Sequence, residues 1–212
     1  MGAPGAGKGT QAQLVMQKFG WPHISTGDIL REIAQTDTPL GQHVKQVQAS
    51  GQLVSDDILA EIVQERLRRG DCEKECVLDG FPRTIPQAKL LDRIAAQPGD
   101  ELVVVNVAVG REALIQRLSG RRGCPQCGAV YNVYLHPPKQ DEICDRCGAQ
   151  LRMRSDDTSE AVARRLDVYE EKTAPVIEYY RQRGNLVDID GGRPVDEVFP
   201  DVLRVIEERD PA

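Results

Sequence analysis

The stretch Gly2-Ala-Pro-Gly-Ala-Gly-Lys-Gly-Thr10 restricts the fold of this chain more than any other. It packs small residues ahead of a lysine and a hydroxyl, as a phosphate-binding loop does. Glycines let successive backbone N–H groups turn inward around phosphate oxygens, and a helix starting near Lys8 adds its positive dipole end. Gly5, Ala6, Gly7, Lys8, Gly9 and Thr10 are thus expected to cradle a polyphosphate. Lys8 reaches toward the β- and γ-phosphates, and Thr10 toward Mg²⁺ or a phosphate oxygen.

The rest of the chain alternates in a way that suits such a loop. Short apolar runs at 23–25, 75–79, 102–107 and 185–189 read as strands. The third, Leu102-Val-Val-Val-Asn-Val107, is apolar on both faces, like a buried parallel strand. Helical patterns fall at 8–19, 27–36, 40–49, 56–69, 84–96, 111–119, 158–182 and 195–208. Asp56-Asp57 and Asp156-Asp157-Thr158 supply N-terminal signals. The implied class is α/β with a parallel sheet flanked by helices. Residues 121–157, rich in Gly, Pro and Cys, break the alternation and read as an inserted β-rich lobe.

That lobe carries Cys124-Pro-Gln-Cys127 and Cys144-Asp-Arg-Cys147. Two such knuckles offer four thiolates, which complete a tetrahedral Zn²⁺ shell and leave no position open for water. The site is expected to be structural, because a small lobe builds little core and metal binding supplies folding free energy instead. A nucleic-acid-binding zinc ribbon is the rival reading of the knuckles alone. The net charge of -6 counts against it, and against an anionic-membrane surface. Cys72 and Cys76 read as free thiols, and His23, His43 and His136 as structural or surface residues. With aromatic content of 4%, the core must be aliphatic, with Trp21 partly buried beside the strand at 23–25. No apolar run reaches membrane-spanning length and no secretory h-region opens the chain, so the expectation is a cytoplasmic protein.

The loop, read on through Gln11-Ala12, resembles that of the adenylate kinases, and further matches follow in family order over nearly the whole chain. They are Ser25-Thr-Gly-Asp-Ile-Leu-Arg31, Gly51-Gln-Leu-Val-Ser-Asp56, Asp79-Gly-Phe-Pro-Arg-Thr84 with Gln87, Arg117-Leu-Ser-Gly-Arg-Arg122, Arg154-Ser-Asp-Asp157 and Arg164-Arg-Leu166. The resemblance implies a CORE of residues 1–24, 55–119 and 158–212, an AMP-binding helical subdomain at 25–54 and a zinc-bearing LID at 120–157. It implies transfer of a phosphoryl group between Mg-ATP and AMP to give two ADP, by a monomer with no nucleic-acid or membrane partner. The nucleophile is then an AMP phosphate oxygen, already anionic, so cations that bring two polyphosphates together matter more than a general base. Arginine suits that task, being planar, always charged and bidentate toward phosphate.

By resemblance, Arg31 and Arg83 hold the AMP phosphate, while Arg117, Arg121, Arg154 and Arg165 close on the ATP phosphates and the transferring group. Arg154 and Arg165 also reach toward AMP. Lys8, Arg83, Arg121, Arg154 and Arg165 form the catalytic set, and Asp79 orients Mg²⁺ through water. Thr26, Gln87 and the Gln52-Leu53-Val54 backbone are expected around adenine of AMP, with Gly80, Phe81 and Pro82 beside them. The donor base falls to the backbone near Arg193 and to Val130-Tyr131, contacts that leave a GTP-using variant open. The family also places an apolar strand ahead of the loop, in mid-sheet, whereas here only Met1 precedes Gly2. The expectation is that Met1 is an internal methionine and the natural protein extends upstream. A chain truly starting there is expected to be weakly stable and poorly active, in the limit a nucleotide binder with impaired activity.

Overall fold

In the computed structural model, which describes residues 1–96 and 101–209, the glycine-rich loop runs into helix α1 (Lys8–Phe19). Gly7 caps it in the left-handed region at φ 96°, a conformation that costs glycine nothing. The chain continues through β1 (His23–Ser25), α2 (Thr26–Ile33), α3 (Pro39–Ala49), α4 (Asp56–Leu67), β2 (Val77–Asp79) and α5 (Ile85–Ile94). Then come β3 (Val104–Ala108), α6 (Arg111–Ser119), β4 (Arg121–Gly123), β5 (Val130–Asn132), α7 (Ser159–Val168), α8 (Ala174–Gln182), β6 (Leu186–Asp190) and α9 (Val195–Arg209). Residues 97–100 and 210–212 of the expected CORE lie outside the described residues.

Local chemistry sets the starts of α2, α3, α5 and α7. The Ser25, Thr38, Thr84 and Thr158 side chains accept the N–H of Asp28, Gly41, Gln87 and Ala161, satisfying donors that helix geometry leaves orphaned. Pro39 and Pro86 sit in first turns, where a missing N–H costs nothing.

Two parallel ladders form, β1 with β2 and β3 with β6. The sequence pattern implied one parallel sheet; among the described residues no ladder joins β2 to β3. Met1 lies along β3 instead, its carbonyl accepting the Val107 N–H at 3.0 Å and its amino group donating to the Val105 carbonyl. This is the position that the resemblance gives to a strand leading into the loop.

One correction concerns residues 158–182, expected as one helix. Tyr169–Thr173 form a π-helical turn between α7 and α8. Pro175 explains it: proline cannot donate to the carbonyl one turn back, and its ring crowds that carbonyl, so the ladder widens.

The packing is aliphatic, as composition required. Val107, Leu114, Leu118, Val162 and Leu166 join α6 and α7 to β3 beneath Ala3 and Ala6 of the loop. Leu30 and Val44 of α2 and α3 pack on Val54, Leu59, Val63 and Phe81. Val15, Ile189, Val198, Val202 and Val205 seat α1 and α9 beside β6. Trp21 stacks on Phe19 at the end of α1, ring centroids 4.8 Å apart. The inserted lobe has its own small core of Cys124, Ala129, Cys144 and Leu151. Its strands β4 and β5 pair antiparallel, with Arg122 opposite Tyr131. No helix among the described residues is long and apolar enough to cross a membrane.

Candidate functional site

A cleft of ≈ 740 Å³ runs between the loop, the α2–α3 lobe and the inserted lobe, large for a small-molecule site. Lys8, Arg31, Arg83, Arg117, Arg121, Arg154, Arg165 and Arg193 all line it. Each comes from a different place in the sequence, and the fold brings them together.

Lys8 Nζ donates to the Ala3 carbonyl at 2.8 Å, so the side chain folds back across its own loop. Burial pushes its pKa down to about 8; Asp79 opposes this, while Arg83, Arg165 and Arg121 add to it. Burial alone would raise Asp79. The His23 hydrogen bond and the Lys8 charge outweigh it and bring that carboxyl down to about 2. Asp79 is therefore ionised at any working pH. It lies beside the loop, close enough that a Cβ on Gly9 would stand 3.2 Å from Asp79 Oδ2. An ionised carboxylate beside Gly9 of the loop is a hard oxygen donor that fits Mg²⁺.

The arginines are held by two kinds of partner. Asp157, buried at 2% exposure, takes two bonds from Arg121 (Nε at 2.7 Å to Oδ2, Nη2 at 2.5 Å to Oδ1) and one from Arg165 at 3.1 Å. Asp156 pairs with Arg165 at 3.0 Å. Arg117 donates to the Ala6 and Gly192 carbonyls, both at 3.4 Å, bridging the loop to the turn after β6. Arg31 pairs with Asp28. Arg83 Nε donates to the Gly80 carbonyl at 2.7 Å. Arg154 makes no ion pair among the described residues. Burial, then repulsion from Arg121 and Arg31, lowers it to about 10. Arg83 and Arg165 are lowered for the same reasons in the same order, burial first and neighbouring guanidinium groups second, with Asp156 holding Arg165 up between them. Such a cleft is short of negative charge, and a polyphosphate supplies it.

Gly80 and Gln87 lie next to Arg83. Gln87, 2% exposed, accepts the Arg83 N–H at 2.8 Å and donates to Asp56 Oδ1 at 2.7 Å, where Thr84 also donates at 2.9 Å. Gly80 has φ 81°, and a Cβ there would meet Thr26 Oγ1 at 2.7 Å and Arg83 Nη2 at 2.8 Å, so only glycine fits this turn. Thr26 is buried and its hydroxyl donates to the Asp79 carbonyl at 3.2 Å. Gln52, Leu53, Val54, Phe81 and Pro82 line the cleft. Arg193 lines the cleft and is ion-paired to Asp190 and Asp201. Val130 lines the cleft, whereas the hydroxyl of Tyr131 turns toward Cys144.

Sequence reasoning missed the carboxylates that aim these groups. Asp56 was read only as a motif end and helix start, and Asp156 and Asp157 as helix signals. His23, read as structural, lies 3.7 Å from Asp79. The signal was membership of a motif for Asp56, Asp156 and Asp157 and closeness to one for His23, and neither gives a direction for a side chain.

In the inserted lobe the sulfurs of Cys124, Cys127, Cys144 and Cys147 lie within 4.8 Å of one another. Four soft thiolates at that spacing fit a tetrahedral metal such as Zn²⁺.

The family model for adenylate kinase matches residues 1–185. The chain belongs to the adenylate kinase family. An adenylate kinase of Carboxydothermus hydrogenoformans is 50% identical over 208 residues, covering 98% of this chain and 97% of that one. That of Caldanaerobacter subterraneus subsp. tengcongensis is 49% identical, covering 97% and 94%. The adenylate kinase of Archaeoglobus fulgidus is 45% identical, covering 98% and 96%. An adenylate kinase is a nucleotide-binding transferase, and the cleft has the loop and the cations that such an enzyme needs.

Proposed function

We propose that the cleft moves the γ-phosphoryl group of ATP to the phosphate of AMP, reversibly, giving two ADP. The observation that carries this reading is the gathering of Lys8 and seven arginines around one cleft, with Gln87 on the acceptor side. The loop and Arg117 hold the donor phosphates, Arg31 and Arg83 the acceptor phosphate, and Arg121, Arg154 and Arg165 the charge between them. Positioning and electrostatics then supply the rate, since the acceptor oxygen is already anionic. Mg²⁺ arriving with ATP, oriented by Asp79 through water, neutralises charge on the phosphates. Cys124, Cys127, Cys144 and Cys147 hold a structural Zn²⁺ that keeps the lobe folded. Residues 25–54 and 120–157 act as movable covers on the remaining CORE, excluding water so that AMP receives the phosphoryl group. The enzyme works as a monomer in the cytoplasm.

A coupled assay of the whole chain with ATP and each nucleoside monophosphate tests this. AMP should be the preferred acceptor and ATP the preferred donor, and Lys8→Met or Arg83→Ala should abolish turnover. Preference for UMP, CMP or GTP, or activity surviving Lys8→Met, would reject the assignment.

A further inference from the structure

Tyr131 stands where the two halves of the inserted lobe meet. It lies in mid-β5, paired with Arg122 next to the cleft residue Arg121, and its ring packs on the small core around Cys124 and Cys144. Its hydroxyl oxygen accepts the backbone N–H of Asp145 at 2.9 Å and lies 3.6 Å from Sγ of Cys144. A phenol carries a single hydrogen. With an N–H already on the oxygen, that hydrogen is free to point at the sulfur. Asp145 is itself fixed, because its Oδ1 accepts the Lys139 N–H at 2.9 Å. Cys144 is only 1% exposed, so water does not compete for its sulfur. The other three cysteines have no side-chain hydroxyl donor among the described residues, which makes the ligand set asymmetric.

We propose that Tyr131 is a positioning residue for the metal, its phenol donating a hydrogen bond to the Cys144 thiolate. Four thiolates around a divalent cation leave a net negative cluster, with Cys124 and Cys144 buried and Cys127 and Cys147 exposed. A donor on one sulfur spreads that charge and fixes the direction of the ligand, and partners of this kind govern metal retention. The same bond ties the second knuckle to the hairpin that begins at Arg121. This goes beyond the phosphotransfer reading and does not depend on it.

Tyr131→Phe keeps the ring and removes only the donor, so it separates hydrogen bonding from packing. The zinc-loaded whole protein is mixed with a chromophoric chelator and the release of metal followed. The protein is also loaded with Co²⁺, and its thiolate-to-metal absorption bands recorded. Tyr131→Phe should release zinc roughly 10–100-fold faster, and its cobalt bands should shift. Tyr134→Phe, on an exposed ring of the same lobe, should change neither. Unchanged release in Tyr131→Phe would overturn the proposal. So would faster release with unchanged cobalt bands, which assigns the hydroxyl to folding alone, and so would wild-type protein that takes up no cobalt.

Discussion

Lys8 is the residue whose chemistry depends most on what occupies the cleft. Its pKa of about 8 in the free protein is below the ordinary 10.5 because burial and neighbouring guanidinium groups disfavour the charged form. A bound polyphosphate favours that form, so binding takes up a proton wherever free Lys8 is neutral. ATP affinity should therefore be flat below pH 8. Above it, Kd should rise about tenfold per pH unit until the pKa of the complex is reached. Calorimetry from pH 6.5 to 9.5 in buffers of different ionisation enthalpy checks both the slope and the proton uptake. A Kd independent of pH above 8 would show that Lys8 is charged in the free protein. Asp56 makes a different prediction. It accepts from both Thr84 and Gln87 and has no cationic partner among the described residues. Asp56→Ala leaves those donors unpaired, at a cost of ~1–3 kcal/mol, and loosens Gln87. KM for AMP should rise several-fold, with KM for ATP little changed; equal changes in both would argue against an acceptor-side role.

At the level of elements, most of the fold was legible. Asp56-Asp57 announced α4 and Asp156-Asp157-Thr158 announced α7, and the apolar run at 102–107 announced β3, offset slightly to Val104–Ala108. The break at Tyr169–Thr173 was not read, although Pro175 signalled it, because the apolar spacing on both sides continues as if the helix were whole. The gap in the sheet between β2 and β3 falls where the resemblance places the strand ahead of the loop, with Met1 lying along β3. In the site, the loop, the knuckles and the arginines could be placed by motif. The carboxylates that orient them could not, because an ion pair such as Arg121 with Asp157 joins residues that only the fold brings together. Asp157 bridges β4 to α7 while almost entirely buried. Asp157→Ala leaves two arginines facing each other with one counter-ion fewer, and should cost roughly 3 kcal/mol. Denaturant unfolding would measure it, and added tripolyphosphate should recover part of the loss. Metal removal acts on a neighbouring element. Chelation should unfold the β4–β5 lobe, seen as loss of protection of its amides, while α1 and β3 keep theirs.

For the whole molecule, the informative contact is where the α2–α3 lobe meets α7. Gly51 has φ 72°, and a Cβ there would stand 3.0 Å from the Ala161 carbonyl oxygen and 3.2 Å from Arg164 Cβ. Beside it, with its amide oxygen turned to the guanidinium, Gln52 accepts from Arg164 Nε at 2.5 Å. Arg31 of the same lobe lies within electrostatic reach of Arg154. Gly51→Val should hold the lobe away from α7 and raise KM for AMP about tenfold or more, with a smaller effect on ATP. Gly51→Ala, sharing the backbone strain but less bulk, should fall between. Identical kinetics for both variants and wild type would show that the contact plays no part in binding.

The stack of Trp21 on Phe19 has a practical consequence. Trp21 is the sole tryptophan in the sequence, and it sits at the end of the helix that follows the phosphate loop, away from the metal-holding lobe. Its emission therefore reports the melting of the central body and is blind to the lobe. A cobalt absorption band reports the lobe and is blind to the body. Recorded together during one thermal ramp, the two signals give two midpoints, and their separation measures how independently the cover and the body come apart.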